Sequence, residues 1–202
     1  MPEYYHTLHG PSEGLYKEKG SKFLAFAYPV DDEEAAKNIL DNLRKEYHDA
    51  RHHCYAWVMG SEAETIRAND DGEPSNSAGK PILGQINSFG LTNVMIVVVR
   101  YFGGKLLGVG GLINAYRSAA KDALQKARIK KEYLHALYEL KFQYQDMNTV
   151  MTILKEINAD QFDQDFRLEC TLKAKIRISD KTKFEKALDG YPNIALRLIK
   201  ED

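Results

Sequence analysis

The sequence predicts an α+β protein of two domains, residues 1–130 and 131–202. Three observations lead to this prediction. At 202 residues the chain is longer than one average domain and shorter than two. Its last third carries strand and helix periodicities in the order βαββαβ, and its earlier part mixes both kinds of segment around a glycine-rich stretch. The adjacent lysines Lys130 and Lys131 mark the expected boundary.

In the second domain, apolar and polar residues alternate over residues 134–144, the period-two pattern of a half-buried strand. Apolar residues at helical spacing follow from Met147 to Ile157, and Asp146 can serve as the N-cap of that helix. The remaining expected elements are strands at 161–169 and 171–178, a helix at 182–188 and a closing strand at 194–199. This βαββαβ order is the ferredoxin-like arrangement.

The first domain is predicted to contain a strand at residues 23–30, followed by a helix that Asp31 or Asp32 caps. A second strand is expected at 53–59, and polar, Gly/Pro-rich loops with a short apolar segment at 67–90. The segment 93–100, with Val97, Val98 and Val99 in sequence, indicates a strand buried on both faces. A glycine-rich loop at 103–111 then leads into a helix whose expected inward residues are Leu112, Ile113, Tyr116, Ala119, Ala120, Ala123, Leu124 and Ala127.

The net charge of -1 conceals a strong asymmetry along the first domain. Residues 1–73 contain 8 Lys/Arg and 15 Asp/Glu, a local charge of -7. Residues 74–130 contain 8 Lys/Arg and the single acid Asp122, a local charge of +7. Such a basic stretch is typical of a segment that binds a polyanion, provided that the fold gathers its charges on one face.

Composition also indicates a compartment. No apolar run approaches the roughly 18 residues that a membrane helix needs, and the N-terminus lacks the basic and apolar regions of a signal peptide. We therefore expect a cytoplasmic protein with no membrane partner. Cys54 and Cys170 fall in different predicted domains, which argues against a disulfide framework and favours reduced thiols.

The segment from Arg100 to Gly111 carries the densest signal for binding. Five glycines lie within nine residues at the expected start of a helix, where exposed backbone N–H groups and the helix dipole favour phosphate. Arg100 and Lys105 flank Gly103 and Gly104, and the spacing fits neither a dinucleotide-binding nor a Walker A loop. The alternative is that the glycines only make a tight connection and the neighbouring aromatic residues belong to the core. The aromatic residues concerned are Tyr101 and Phe102.

A second group of candidates combines His52, His53 and Cys54 with the acidic loop Asp70, Asp71 and Glu73. Residues 52–54 alternate between strand faces, and no second cysteine or spaced histidine pair completes four metal ligands. A cysteine in an apolar strand is more often packed than nucleophilic. The sequence thus predicts no metal site and no cofactor. The acidic loop is equally consistent with a solvated turn and with a loop that, with Lys80, approaches a ligand.

Several of these segments resemble the IMPACT family. The matching segments are Ser21-Lys22-Phe23, His52 to Ala56, Asp70 to Pro74, Ala78 to Ile82, Arg100 to Gly104, Gly108 and the helix entry from Gly111 to Arg117. Together they cover most of residues 20–125, and their pattern resembles that of a bacterial two-domain member. The sequence departs from the family at Asn76-Ser77, where Gly-Thr is usual. This departure puts a special backbone conformation at Asn76 in doubt.

The resemblance implies a first domain with the βαβ fold of domain two of ribosomal protein S five and of the GHMP kinases. It implies a second domain like the last domain of elongation factor G, in agreement with the βαββαβ order. Bacterial two-domain members look like nucleic-acid-binding, translation-associated proteins. The eukaryotic member acts by competing for a kinase activator, a partner that this chain need not share.

These observations favour a non-enzymatic protein that binds RNA or a ribosomal site. Lys80, Arg100, Lys105 and Arg117 are expected to contact phosphates while Tyr101 or Phe102 stacks on bases. In the second domain, Lys173, Lys175 and Arg177 share one strand face and add phosphate contacts or are simply solvated. Two alternatives remain: an enzyme that uses the acidic and glycine-rich loops on a phosphorylated small molecule, and a protein adaptor that acts through the acidic first helix.

Overall fold

The computed structural model describes residues 3–167 and 169–201, and its chain divides into two compact units. The first unit is Tyr5–Glu132, and the second unit is Tyr133–Asp202 together with Met1–Tyr4. The sequence did not predict that the N-terminal segment belongs with the second unit. A backbone hydrogen bond of 2.9 Å from the Leu134 N–H to the Glu3 carbonyl holds it there.

The first unit contains a sheet with the strand order β2-β3-β6-β4-β5, in which all neighbours are antiparallel. Strands β3 and β4 both run antiparallel to β6, so they are parallel to each other and α1 connects them as a βαβ unit. A separate two-stranded sheet pairs β1 with β7. The elements are β1 (Tyr4–Leu8), β2 (Ser12–Glu18), β3 (Ser21–Pro29), α1 (Glu33–Glu46), β4 (His52–Met59), β5 (Thr65–Asn69), α2 (Gly79–Ser88), β6 (Val94–Tyr101), α3 (Gly108–Lys126) and β7 (Ile129–Tyr133).

Helices cover both faces of this sheet. Helix α1 packs on one face, where Met95, Val97 and Val99 of β6 point. Helices α2 and α3 pack on the other face, against Val94, Ile96 and Val98. All six side chains are fully buried, which confirms the prediction of a strand covered on both sides.

The N-terminus of α1 was predicted correctly, whereas α2 was missed. Asp32 caps α1, since its Oδ1 accepts a 2.7 Å hydrogen bond from the Ala35 N–H. Residues 79–88, expected as loop, form α2 instead. Pro81 is compatible with this helix because it lies in the first turn, where backbone N–H groups have no partner within the helix.

The second unit confirms the predicted βαββαβ order, and its sheet has the antiparallel strand order β11-β8-β10-β9. Helices α4 and α5 bury one face of the sheet. The elements are β8 (His135–Phe142), a 3-10 turn (Tyr144–Asp146), α4 (Met147–Glu156), β9 (Asp160–Phe166), β10 (Cys170–Arg177), α5 (Ile178–Leu188) and β11 (Ala195–Glu201).

Three details of the second unit differ from or refine the sequence predictions. Asp146 precedes α4 but its side chain makes no capping hydrogen bond. Helix α5 begins four residues earlier than expected, at Ile178. Lys173 and Lys175 lie on the sheet face away from the helices, and Lys173 forms a 2.7 Å ion pair with Asp163.

Among the described residues, no helix has the length and apolar composition that a membrane span requires.

Close packing of β2 on α3 depends on a glycine. A Cβ atom added to Gly14 would lie 2.3 Å from the backbone nitrogen of Ala123, far inside van der Waals contact. Backbone atoms cannot move away as a flexible side chain can. The absence of a side chain at Gly14 therefore allows the short distance between β2 and α3.

We expect Gly14→Ala to lower the free energy of unfolding by about 1–3 kcal/mol, the usual cost of overpacking. The control is Gly84→Ala on α2, where nothing lies within 4 Å of the added Cβ. Because alanine is the better helix former by roughly 1 kcal/mol, this variant is expected to be as stable as the wild type or more stable. Urea denaturation measures both, and a tolerated Gly14→Ala would contradict the packing argument.

Candidate functional site

The glycine-rich loop connects β6 to α3, and its first glycine is required by packing. The Gly103 N–H donates a 3.1 Å hydrogen bond to Ser21 Oγ. A Cβ on Gly103 would lie 2.0 Å from the Gly20 carbonyl carbon. Gly20 itself has φ +82° in the tight turn between β2 and β3. At Gly103, therefore, the glycine makes a tight connection.

The later glycines have a different environment. Gly104 and Gly108 have φ values of +83° and +71°, and nothing lies within 4 Å of a Cβ added to either residue or to Gly110. Helix α3 begins at Gly108 with no side-chain capping hydrogen bond and no acidic residue in its first turn. The first N–H groups of a helix have no partner within the helix, and here no side chain caps them, an arrangement that favours an anion.

Arg100, expected to contact phosphate, is instead buried inside the first unit. Its side chain is 8% exposed, and its Nη1 lies 2.5 Å from Oε1 of Glu73, which is 4% exposed. The guanidinium carbon lies 5.5 Å from the ring centre of Phe23 and 5.7 Å from that of Phe102. The alternation of β6 explains the burial, because Arg100 follows Val98 on the face that α2 and α3 cover.

Glu73 is the centre of a buried hydrogen-bond network. The Tyr116 hydroxyl donates to Glu73 Oε1 at 2.7 Å, and the Cys54 sulfur lies 3.3 Å from that hydroxyl. Burial raises the pKa of the Cys54 thiol and of the Tyr116 hydroxyl well above their usual ranges. Cys54 therefore stays protonated near neutral pH, which disfavours the nucleophilic role considered from the sequence. Both cysteines of the chain are free and buried.

The other carboxylates of the acidic loop also bond to the protein. Asp70 Oδ1 accepts hydrogen bonds from the Ala78 and Gly79 N–H groups at the start of α2, at 3.0 and 2.8 Å. Its Oδ2 accepts from the Asn76 N–H at 2.7 Å. Asn76 has φ +63°, so asparagine keeps the left-handed conformation despite the departure from the family pattern.

Asp71 connects the acidic loop to β4 and α1. Its Oδ2 accepts a 2.7 Å hydrogen bond from the His53 N–H, and its Oδ1 pairs with Arg44 at 3.1 Å. Its carbonyl lies 2.8 Å from His52 Nδ1. The acidic loop is thus an internal cross-link, neither a solvated turn nor a set of free carboxylates. A role for these acids as Mg²⁺ ligands or as a general base requires breaking these bonds.

His52, His53 and Cys54 alternate between the two sheet faces, as the sequence predicts. His53 lies on the α1 face, where burial lowers the pKa of its ring. Within the ranges 3–167 and 169–201, no three His, Cys, Asp or Glu residues are grouped as metal ligands.

Tyr101 and Phe102, the two aromatic residues predicted to stack on bases, both contact other residues of the first unit. The Tyr101 hydroxyl donates to Asp49 Oδ1 at 2.7 Å, and this hydrogen bond raises the pKa of Tyr101 to about 12 and lowers that of Asp49. Phe102 is 54% exposed and covers the Arg100 guanidinium with one side of its ring. Only its outer side can meet a ligand.

The remaining predicted cations are exposed. Lys80 lies on α2, Lys105 in the glycine-rich loop and Arg117 on α3, and Lys121 follows Arg117 one turn later. In the described part of the chain none of these four forms an ion pair. We call Lys80, Lys105, Arg117 and Lys121 the basic surface.

Seven of the ten exposed acids of the first unit lie in and beside α1, on the opposite side of the sheet from α2 and α3. The other three are Glu13, Glu62 and Glu64, and the half-buried Glu18 bonds to Tyr16 on the α3 side. Helices α2 and α3 contain one acid, Asp122, which accepts hydrogen bonds from the Leu15 N–H and from Lys126. The charge asymmetry of the sequence is therefore also an asymmetry between the two helical layers. The exposed acids of the α1 layer are Asp31, Asp32, Glu33, Glu34, Asp41, Glu46 and Asp49.

Sequence reasoning missed several residues of this site. Lys121 could have been found, because it lies four residues after Arg117 on the same helix. Tyr116 was placed in the core correctly, but its hydrogen bond to Glu73 was not foreseen. Ser21 lies in a segment that resembles the family, but its hydrogen bond from the Gly103 N–H, 82 positions away in the chain, was not foreseen.

We expect Glu73→Gln to lower the free energy of unfolding by about 3–5 kcal/mol, because it leaves the buried Arg100 charge without a counter-charge. The control is Arg44→Ala, which removes the partly exposed pair with Asp71 and should cost less than about 1 kcal/mol. Denaturation in urea distinguishes the two, and equal losses would contradict the proposed importance of the buried pair.

The chain is similar to known proteins over the same residues that carry the resemblance in its sequence. Residues 19–124 match the family model described as the Impact N-terminal domain. The chain is 32% identical over 183 residues to IMPACT family member YigZ of Escherichia coli, covering 90% of each protein. It is 32% identical over 156 residues to IMPACT family member YvyE of Bacillus subtilis, covering 77% of this chain and 72% of that protein.

Two further matches extend this result. The Saccharomyces cerevisiae protein IMPACT homolog is 36% identical over 115 residues, which are 54% of this chain and 43% of the yeast protein. A crystal structure described as that of a hypothetical protein is 30% identical, covers 100% of both chains and has a TM-score of 0.77. The chain belongs to the IMPACT family.

Proposed function

We propose that this protein is a non-enzymatic RNA-binding protein that acts in translation, and that the basic surface of its first unit contacts RNA phosphates. The observation that carries the proposal is the separation of charge across the sheet. The basic surface has no ion pairs among the described residues, whereas seven of the ten exposed acids of the first unit lie in and beside α1 on the other face. Cations without protein partners are the groups that can replace the counterions of a nucleic acid.

The buried position of Arg100 changes the expected roles within the site. Arg100 supports the base of the glycine-rich loop through Glu73 and through the ring of Phe102. Phosphate contact is then assigned to Lys80, Lys105 and Arg117, with Lys121 added. The open N-terminal turn of α3 supplies backbone N–H groups beside Lys105.

The finer fold relationships are part of the same proposal. We infer that the βαβ unit of the first unit is related to domain two of ribosomal protein S five, and that the βαββαβ unit is related to the last domain of elongation factor G. Both likenesses point toward a ribosomal site, but a fold alone does not define a function. The charges of the basic surface supply the argument from the site itself.

Lys105→Ala and Arg117→Ala are each expected to weaken RNA binding. Each should also flatten the plot of log affinity against log salt concentration by about 0.7 on single strands or 0.9 on duplex, the value for one phosphate contact. The measurement is fluorescence anisotropy of labelled RNA over a salt series.

The matched control is Lys37→Ala, which removes an exposed cation from α1 on the other face of the sheet. It should leave the slope unchanged. Equal effects of Lys37→Ala and Lys105→Ala would show that RNA responds to the total charge of the protein, and would contradict binding at the basic surface. Unchanged slopes for both Lys105→Ala and Arg117→Ala would remove the basic surface from the interface.

A further inference from the structure

Three apolar side chains are exposed in and beside the glycine-rich loop. Leu106 is 85% exposed, the highest value for a large apolar side chain in the described part of the chain, and Phe102 and Val109 are 54% and 52% exposed. A single exposed leucine is ordinary on a protein surface. Here three such residues lie within eight positions of the chain, and exposed apolar residues that are grouped point to a contact surface.

The loop that carries Leu106 has a fixed base. At one end Gly103 packs against the Gly20 and Ser21 backbone, and at the other end the loop continues into the 19-residue helix α3. Between these ends, Gly104 and Gly108 adopt left-handed conformations in open space. The loop is therefore held at both ends, and a partner that binds Leu106 needs to order only the few residues between Gly103 and α3.

The charge around Leu106 indicates the chemistry of its partner. Lys105 precedes it, the uncapped N-terminal turn of α3 follows it, and residues 74–121 contain no Asp or Glu. An apolar side chain in a cationic loop fits a partner that is anionic outside and apolar within. In RNA the apolar surfaces are the base faces, which are accessible where the strand is unpaired or kinked.

We propose that Leu106 is a wedge that inserts beside an unpaired base, so that the loop selects RNA with bulges or other unstacked steps over continuous duplex. The inference rests on the proposed function, because Lys105 and the rest of the basic surface supply the affinity to which Leu106 adds selectivity. Val109 and the outer side of Phe102 flank the wedge as further apolar contacts.

The test compares two RNA hairpins, one with a bulge in its stem and 2-aminopurine at the bulge, the other with a continuous stem. Leu106→Ala should weaken binding to the bulged hairpin about tenfold, as expected when most of a leucine side chain is removed from an apolar contact. It should leave the affinity for the continuous stem and the salt slope unchanged. The 2-aminopurine fluorescence should rise on binding of the wild type and rise less with Leu106→Ala.

The matched control is Leu15→Ala, an equal truncation at a 43% exposed leucine of β2 in the same unit. It should leave both affinities unchanged. Equal weakening on both hairpins by Leu106→Ala, or no weakening while the wild type binds, would overturn the wedge and leave the proposed function intact. Absence of wild-type binding to both hairpins at low salt would overturn both.

A second arm uses vesicles that contain phosphatidylserine, because a lipid surface is also anionic outside and apolar within. We expect no Leu106-dependent binding. Vesicle binding that Leu106→Ala abolishes, without an effect on either hairpin, would reassign the loop to membranes and reject the wedge.

Discussion

The ion pair between Arg100 and Glu73 joins the two loops on which the candidate site depends. Removing two charges from water costs several kcal/mol per ion unless the pair is well formed and its remaining hydrogen bonds are satisfied. Here Tyr116 donates to the same carboxylate oxygen, and the rings of Phe23 and Phe102 lie beside the guanidinium, whose Nε is buried without a hydrogen-bond partner. Because Arg100 lies in β6 three residues before Gly103, the pair connects the acidic loop to the strand from which the glycine-rich loop starts.

The carboxylates of the acidic loop bond to other groups of the protein, and this helps to explain the charge distribution of the first unit. Asp70 binds the start of α2, and Asp71 binds the His53 N–H and Arg44. These carboxylates therefore do little to neutralise the outer side of α2 and α3. Most exposed acids of the first unit, seven of ten, lie in and beside α1, and the sheet separates them from α2 and α3. A chain with almost no net charge can in this way present a strongly basic face.

The sequence predicts those elements whose pattern is local. The alternation along β8 and β10, the Asp32 cap of α1 and the apolar run of β6 each carry their own signal. Helix α2 was missed because two glycines and Pro81 mask its short apolar face, and the edge strands β2 and β5 because half-exposed strands are rich in polar residues. Exposure of the lysines in the site was predictable from the sequence. The ion pair of Arg100 with Glu73 was not, since Glu73 lies 27 residues away in the chain.

Helix α3 packs in the core of the first unit with its inner side and carries part of the basic surface on its outer side. Its inner side is lined by alanines, and with Gly14 they bring the helix close to β2. Close contact along that side fixes the rotation of α3 about its axis, which in turn directs Arg117 and Lys121 to the outside. The same packing fixes the first turn of the helix, and thereby one end of the loop that carries Lys105 and Leu106. Backbone contacts of Gly103 fix the other end, so the arrangement of the exposed groups follows from contacts that are themselves buried.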